Sequence, residues 1–212
     1  MCGFVGYTLP GEVEAGTLGR LTDALAHRGP DGRGEWRDER VALGHRRLSI
    51  LDLSEAGAQP MVNAGGDVVI VYNGECYNHL ELRALFPGRA WRSTCDTETL
   101  LALYEKEGRD FLARLNGMFA LVIYDRREGK LLLARDRMGI KPLYYGTAGK
   151  QFVFGSELRC FAAHPRFEKT IDREALKEYA LLNVVPGPMS IFRDARKLEP
   201  GVWLELDLET GA

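Results

Sequence analysis

A cysteine, Cys2, directly follows the initiator methionine, with Gly3 and Gly6 close behind it. Cysteine is small, so removal of Met1 would leave a first residue that carries both a thiol and a free α-amine. Such a residue is a nucleophile with its own base. An unperturbed thiol has a pKa of about 8.5 and an α-amine one of about 7.7–8.0. The amine is therefore partly neutral near working pH and suits a general base. Activating a side-chain nucleophile with the chain's own amine is an established scheme. The glycines let a substrate approach backbone that has no Cβ in the way. A second-position cysteine is common by chance, so the remaining residues must decide.

Four further stretches could do chemistry with it. Arg46-Arg47 precedes the apolar run Leu48-Ser49-Ile50-Leu51. A guanidinium at the edge of a buried segment can grip both oxygens of a carboxylate; the alternative is a solvated arginine pair. Asn73-Gly74-Glu75 ends the strongly apolar run Val68–Tyr72. At a strand-to-helix corner, the Asn73 amide and the Gly74 N–H could aim at one point, as an oxyanion site requires. Asp96 opens a helix, where it is either the N-cap or a partner for an ammonium group. His27-Arg28 lies just before the turn Gly29-Pro30-Asp31-Gly32, as surface charge or as part of a site.

The elements that must position these residues follow from periodicity and turn signals. Residues 4–9 read as a strand closed by Pro10-Gly11, 14–27 as an amphipathic helix and 41–45 as a strand. Residues 58–61 read as a loop and 68–72 as a strand buried on both faces. A helix over 77–83 has Asn78 as its candidate cap, and another begins at Cys95, followed by a short helical piece over 112–115. Hairpins pair 118–124 with 131–135 and 142–145 with 152–155. Helices over 157–162 and 173–182, the latter capped by Asp172, precede a Pro/Gly loop over 184–188 and a final strand over 202–206. The class is α+β with mainly antiparallel pairing.

Composition sets bounds. The chain has 212 residues, 45% of them hydrophobic, enough for one domain with its own core. With 28 basic and 30 acidic residues, a net charge of -2, it has no electrostatic footprint for nucleic acid. It has neither an apolar run long enough for a membrane span nor the marks of a signal peptide, so the expectation is a cytoplasmic protein without a membrane partner. The cysteines Cys2, Cys76, Cys95 and Cys160 show no CxxC pairing, so no metal is expected, and in a reducing compartment they are free thiols.

Taken together, the motifs resemble the glutamine amidotransferase domain of asparagine synthetases, a class II (N-terminal nucleophile, Ntn) glutaminase. The resemblance runs in order through Cys2-Gly3, His27-Arg28-Gly29-Pro30-Asp31, Arg47-Leu48-Ser49-Ile50, Ala58-Gln59-Pro60, Tyr72-Asn73-Gly74-Glu75, Tyr77-Asn78 and Asp96-Thr97-Glu98. It continues through Gly117-Met118-Phe119-Ala120, Ala134-Arg135-Asp136-Arg137, Gly139–Tyr144 and Gly155-Ser156-Glu157. The forms around Arg47 and Asn73 resemble the asparagine synthetase branch rather than the sugar-phosphate or phosphoribosylpyrophosphate amidotransferases. Cys76 stands where that family usually has isoleucine, and Cys95 where serine is common.

The resemblance implies an Ntn-hydrolase four-layer α/β/β/α sandwich of two antiparallel sheets. Residues 1–190 would form the glutaminase domain, and 191–212 the end of the domain and a linker toward an ATP-dependent synthetase domain. It implies Cys2 as nucleophile on L-glutamine, and Asn73 and Gly74 as oxyanion donors. Arg47 would bind the α-carboxylate and Asp96 the α-ammonium, with Glu75 helping. Leu48, Ser49, Ile50 and Leu51 would line the pocket, and Arg28 would support the nucleophile's loop. It implies no cofactor in this domain, ATP and Mg in the synthetase domain or a partner chain, and a possible homodimer. The ammonia would pass to an activated carboxylate, aspartate first, with another acceptor or a non-catalytic scaffold role as the alternatives.

Overall fold

The computed structural model describes residues 1–9 and 14–210. The strand closure read at Pro10-Gly11 and the last two residues lie outside these. Eleven strands among the described residues form two sheets. In chain order they are β1 (Gly3–Thr8), β2 (Gly32–Arg37), β3 (Val41–Arg47), β4 (Met61–Val62), β5 (Val68–Cys76), β6 (Gly117–Asp125), β7 (Lys130–Arg135), β8 (Tyr144–Ala148), β9 (Gln151–Gly155), β10 (Ala195–Lys197) and β11 (Trp203–Asp207). The first sheet has the order β10-β8-β9-β1-β3-β2 and the second β11-β7-β6-β5-β4. All of their pairings are antiparallel.

Alternation along the strands builds the layers. Phe4, Val41, Leu43, Val69, Val71, Val122, Leu133 and Phe154 meet between the two sheets. On the opposite faces, Val5, Tyr7 and Val153 pack against α1 (Thr17–Asp23) and against Phe161 of α4 (Leu158–Ala162). Ile70, Tyr72, Leu121 and Ile123 pack against α3 (Asp96–Glu107) and the 3-10 turn Gly108–Arg114. The short helix α2 (His79–Arg83) lies beside α3. The result is the four-layer α/β/β/α sandwich that the resemblance implied. Helix α5 (Arg173–Leu182) follows Asp172, whose carboxylate accepts from the N–H groups of Glu174 and Ala175. Residues 191–210 supply β10 to one sheet and β11 to the other.

Two local readings change and one strand is new. The helix expected over 14–27 is regular only over Thr17–Asp23, because Gly16 enters it at a φ of 78°. Strand β2, GRGEWR, follows the turn read up to Gly32, where the sequence assigned no element; it is an edge strand whose half-exposed, charged alternation hides its pairing with β3. Strand β5 does not end at Tyr72 but continues to Cys76. Asn73-Gly74 thus lies inside a strand, not at a corner, since pairing with Ala120 and Phe119 overrides the turn tendency of Asn-Gly.

Two histidines are buried within these layers. Burial pushes both His45 and His164 down to about 4. The unfolded chain takes up protons at these rings near pH 6.5, whereas the folded chain does so only near 4. Stability is therefore complete above about pH 6.5 and falls as pH drops toward 4. The loss at pH 5 is on the order of 1–2 kcal/mol for each ring. Thermal melts at pH 7 and pH 5 should show this fall, and His164→Phe should make it shallower; identical pH slopes would contradict the assignment.

Candidate active site

Cys2 lies just ahead of β1, on the side where Phe4 enters the inter-sheet core. Its Sγ accepts from the Leu48 N–H at 3.3 Å, and its thiol reaches the Leu48 carbonyl at 3.5 Å. Arg28 holds the backbone behind it: Nε donates to the Cys2 carbonyl at 2.8 Å and Nη1 to Glu157 at 2.7 Å. A side chain on Gly3 would put its Cβ 2.8 Å from Arg28 Cδ, so this clamp needs glycine there. Burial raises the Cys2 thiol pKa, against the pull of the Leu48 N–H, the Met1 amine and Arg47, and the net shift is upward. The thiol is therefore neutral at pH 7, and an attack by it would need a base to take its proton.

The second half of the site is the end of β5. Val68 exchanges bonds with Asn63 on the β4 side, and the 67 and 77 positions bond toward β6 through Arg126 and Asn116. The β5–β6 register is unbroken, so even-numbered residues aim their N–H and C=O groups away from β6. Strand β4 begins only at Met61, and beyond Ile70 that edge of β5 is open. The Tyr72 N–H goes to Gln59 Oε1 at 2.6 Å and the Cys76 N–H to Asp96 Oδ2 at 2.9 Å. The Gly74 N–H lies between them on the open edge. Alternation sends the Asn73 side chain the same way as Val69 and Val71, toward the sheet that carries Cys2. Its Nδ2 is buried and has no hydrogen-bond partner. A Cβ at position 74 would sit 2.4 Å from the Met118 carbonyl, so only glycine fits.

Asp96 is not the helix cap. Cys95 holds the N-cap position, and the buried Asp96 carboxylate accepts from the Tyr72 hydroxyl at 3.0 Å as well as from Cys76, both through Oδ2. Asn78 holds the cap position of α2 without capping it; its amide instead ties Arg114 to Asn116. Arg47 is not solvated either. Its Nη1 donates to the Ser54 carbonyl at 2.8 Å and its Nη2 to those of Leu51 and Asp52, so it folds residues 51–54 over the site. Asp52 secures the loop by accepting the Thr94 N–H at 2.7 Å.

Cys2, Arg47, Leu48, Ile50, Leu51, Asn73, Gly74, Glu75 and Asp96 line one cavity. Ser49 does not; its N–H bonds Asp31 and it faces an adjoining groove. Sequence reasoning missed Gln59, Tyr72 and Lys141 in the lining. Gln59 and Lys141 are buried polar residues, which only the fold could reveal, although both stand in the motifs quoted above. Lys141 reaches the Met1 sulfur at 3.3 Å. The cavity thus sets two cations, Arg47 and Lys141, and two carboxylates, Glu75 and Asp96, around a thiol and an unpaired amide donor. This matches a small zwitterion with an acyl carbon to attack. A larger cleft of ≈ 480 Å³ between the Gly108–Arg114 turn and β11 is lined by no cysteine: of its charged residues Arg109, Asp110, Arg135 and Arg137, the last two are committed to backbone carbonyls.

Comparison with known proteins gives the family and the fold. The sequence model of the glutamine amidotransferase domain matches residues 1–211. The chain is similar to a putative asparagine synthetase [glutamine-hydrolyzing] 2 of Methanocaldococcus jannaschii, with 39% identity over 99% of this chain and 44% of that protein. It is similar to asparagine synthetase [glutamine-hydrolyzing] 3 of Bacillus subtilis, with 38% identity over 94% of this chain and 34% of that protein. The chain therefore spans less than half the length of these relatives. Among solved structures, the glutamine phosphoribosylpyrophosphate amidotransferase of B. subtilis superposes on 98% of this chain and 48% of its own, at a TM-score of 0.69 and 21% identity, a likeness of fold.

The four thiols should differ in reactivity. Burial pushes Cys76 and Cys160 up to about 12. Alkylation of the native protein with iodoacetamide should label Cys2 first, faster as pH rises from 7 to 9, and label Cys76 and Cys160 only after unfolding. Peptide mapping that found Cys160 labelled alongside Cys2 in the native state would contradict this ordering.

Proposed function

The chain belongs to the glutamine amidotransferase domain family, and from that premise we propose that it hydrolyses L-glutamine to glutamate and ammonia through Cys2. Methionine removal frees the Cys2 amine. The thiol attacks the side-chain amide carbon while its proton passes to that amine, and the new C–S bond leaves an oxyanion. Asn73 Nδ2 and the Gly74 N–H receive the oxyanion. The ammonium returns its proton to the amide nitrogen, the C–N bond breaks and ammonia departs. Water then adds to the thioester, the amine again accepting a proton, and glutamate and the thiol are released. The buried, unpartnered Asn73 amide, turned toward the sheet of Cys2, carries this reading: an orphan donor there costs stability unless a ligand oxygen completes it.

In this reading Arg47 binds the α-carboxylate, taking it in exchange for loop carbonyls of residues 51–54, so that substrate binding is felt by the loop. Asp96 Oδ2 is held by two donors, which orients the carboxylate toward an α-ammonium, with Glu75 beside it. Pairing both backbone charges selects free glutamine over glutamine within a peptide. Asparagine is one methylene too short to bring its amide to a fixed thiol.

The longer relatives support a further part of the protein that uses the ammonia. We assign that part an ATP- and Mg-dependent activation of a carboxylate, aspartate first because of the names those relatives carry. The face of α5 offers it a surface, since Leu176, Tyr179, Leu182 and the adjoining Val184 are exposed.

Glutamate release from glutamine by the mature chain tests the reading. Cys2→Ala should abolish it. Asn73→Ala should lower kcat by about 10²–10³-fold, equivalent to about 2.7–4 kcal/mol, with KM little changed. A chain made to retain one residue before Cys2, checked by intact mass, should be inactive. Equal release by wild type and Cys2→Ala would sink the proposal.

A further inference from the structure

The first sheet carries the thiol and the second the oxyanion donors, so their separation depends on what fixes one sheet against the other at this end. Apolar packing between sheets is non-directional and tolerates small slides. A directional contact crosses here, beside the thiol and the donors. His45, on β3, is directly opposite Phe4 on β1, two residues from Cys2. It shares the inward parity of Val41 and Leu43, and its Nε2 lies 3.1 Å from the Tyr72 carbonyl of β5. A carbonyl only accepts, so Nε2 carries the hydrogen and Nδ1 is bare; Nδ1 is buried without a partner.

The Tyr72 carbonyl is the acceptor that a longer β4 would have satisfied. Extending the register from Met61↔Ile70 places Gln59 opposite Tyr72. Pro60, with no N–H, does not continue the ladder. Side chains replace it: Gln59 Oε1 takes the Tyr72 N–H at 2.6 Å and His45 takes its carbonyl. Gln59 is itself wedged in place, with its amide on Thr97 and its carbonyl against Gly34, where a Cβ would come within 2.0 Å. Tyr72 is the residue before Asn73, and the bonded carbonyl belongs to the peptide that carries the Asn73 N–H.

We propose that His45 and Gln59 act as a substitute strand that holds Tyr72 by both backbone groups, and that His45 is the positioning residue that sets the distance from the Cys2 thiol to the Asn73 and Gly74 donors. The role rests on the glutaminase reading for its kinetic consequence and not for its structural one. His45 touches no reacting atom. Its loss acts on the transition state, because the oxyanion forms where the donors must already be, while Arg47 and Asp96 still bind the ends of the substrate.

The test uses the whole chain. In wild type, imidazole ¹⁵N spectra at neutral pH should show His45 protonated at Nε2 and bare at Nδ1; the opposite tautomer would overturn the proposal. His45→Phe, which removes the donor, should move the Asn73 amide resonance and lower kcat about 10–100-fold at nearly constant KM. His45→Gln, which offers an N–H to the same carbonyl, should recover most of kcat and of the amide shift. A purely structural role would lower the melting temperature and raise KM in both variants with no recovery of kcat, and that result would also overturn it. Should His45→Phe not fold, the tautomer and His45→Gln still decide. If wild type and Cys2→Ala release glutamate alike, the glutaminase reading fails, while the tautomer and the Asn73 shift continue to judge the positioning role.

Discussion

Strand β5 outruns its neighbour β4, and the site depends on that mismatch. Where β4 is absent, β5 presents a row of backbone groups that no strand satisfies. Buried backbone groups are costly to leave unpaired, and three of them have side-chain partners: Gln59 and His45 at Tyr72, Asp96 at Cys76. Gly74 is the position in that row left open, where the proposed reaction places the substrate oxygen. The same carboxylate that satisfies Cys76 is thereby set on the cavity wall, and the same strand alternation turns Asn73 toward the opposite sheet. A frayed sheet edge is thus at once the proposed oxyanion site, the seat of the acidic group and the wall of the pocket.

The opposite wall obeys a different constraint. Cys2 is buried enough to lose thiolate character, so closeness to cations alone does not ionise it. In the proposed reaction a base is needed at the moment of attack, and the amine freed by loss of Met1 would provide one without a further side chain. This explains why the chain's beginning is anchored so firmly: Arg28 binds the Cys2 carbonyl and Leu48 brackets the sulfur. Glu157 holds Arg28 in turn; burial pushes this carboxyl up, but the bonds from Arg28 and His27 prevail and keep it ionised.

Much of this was legible in the residues. Cys2, Arg47, Asn73, Gly74 and Asp96 could each be named from residue type and neighbourhood, and the resemblance joined them; the structure brings all five to one cavity. Hairpins over 118–135 and 142–155, observed over 117–135 and 144–155, and the capped helix α5 followed from period and turn chemistry. Other features depend on long-range contacts. Strand β2 is visible only through β3, and Asn73-Gly74 inside a strand only through β6. Gln59 resembled a loop residue because nothing local says that it faces a strand edge. His45 resembled any residue of a buried strand because its partner belongs to the other sheet. Arg47 could be named as a candidate for binding a carboxylate, but not as a residue occupied by loop carbonyls.

The central claim is that the freed Cys2 thiol carries the glutamyl group between the two sheets. Acid quenching during turnover with glutamine, followed by mass analysis of the N-terminal peptide, addresses it directly. The account predicts a glutamyl adduct on Cys2 of a chain that has lost Met1. Turnover by a chain that still carries Met1, with the adduct on another cysteine or on none, would contradict it.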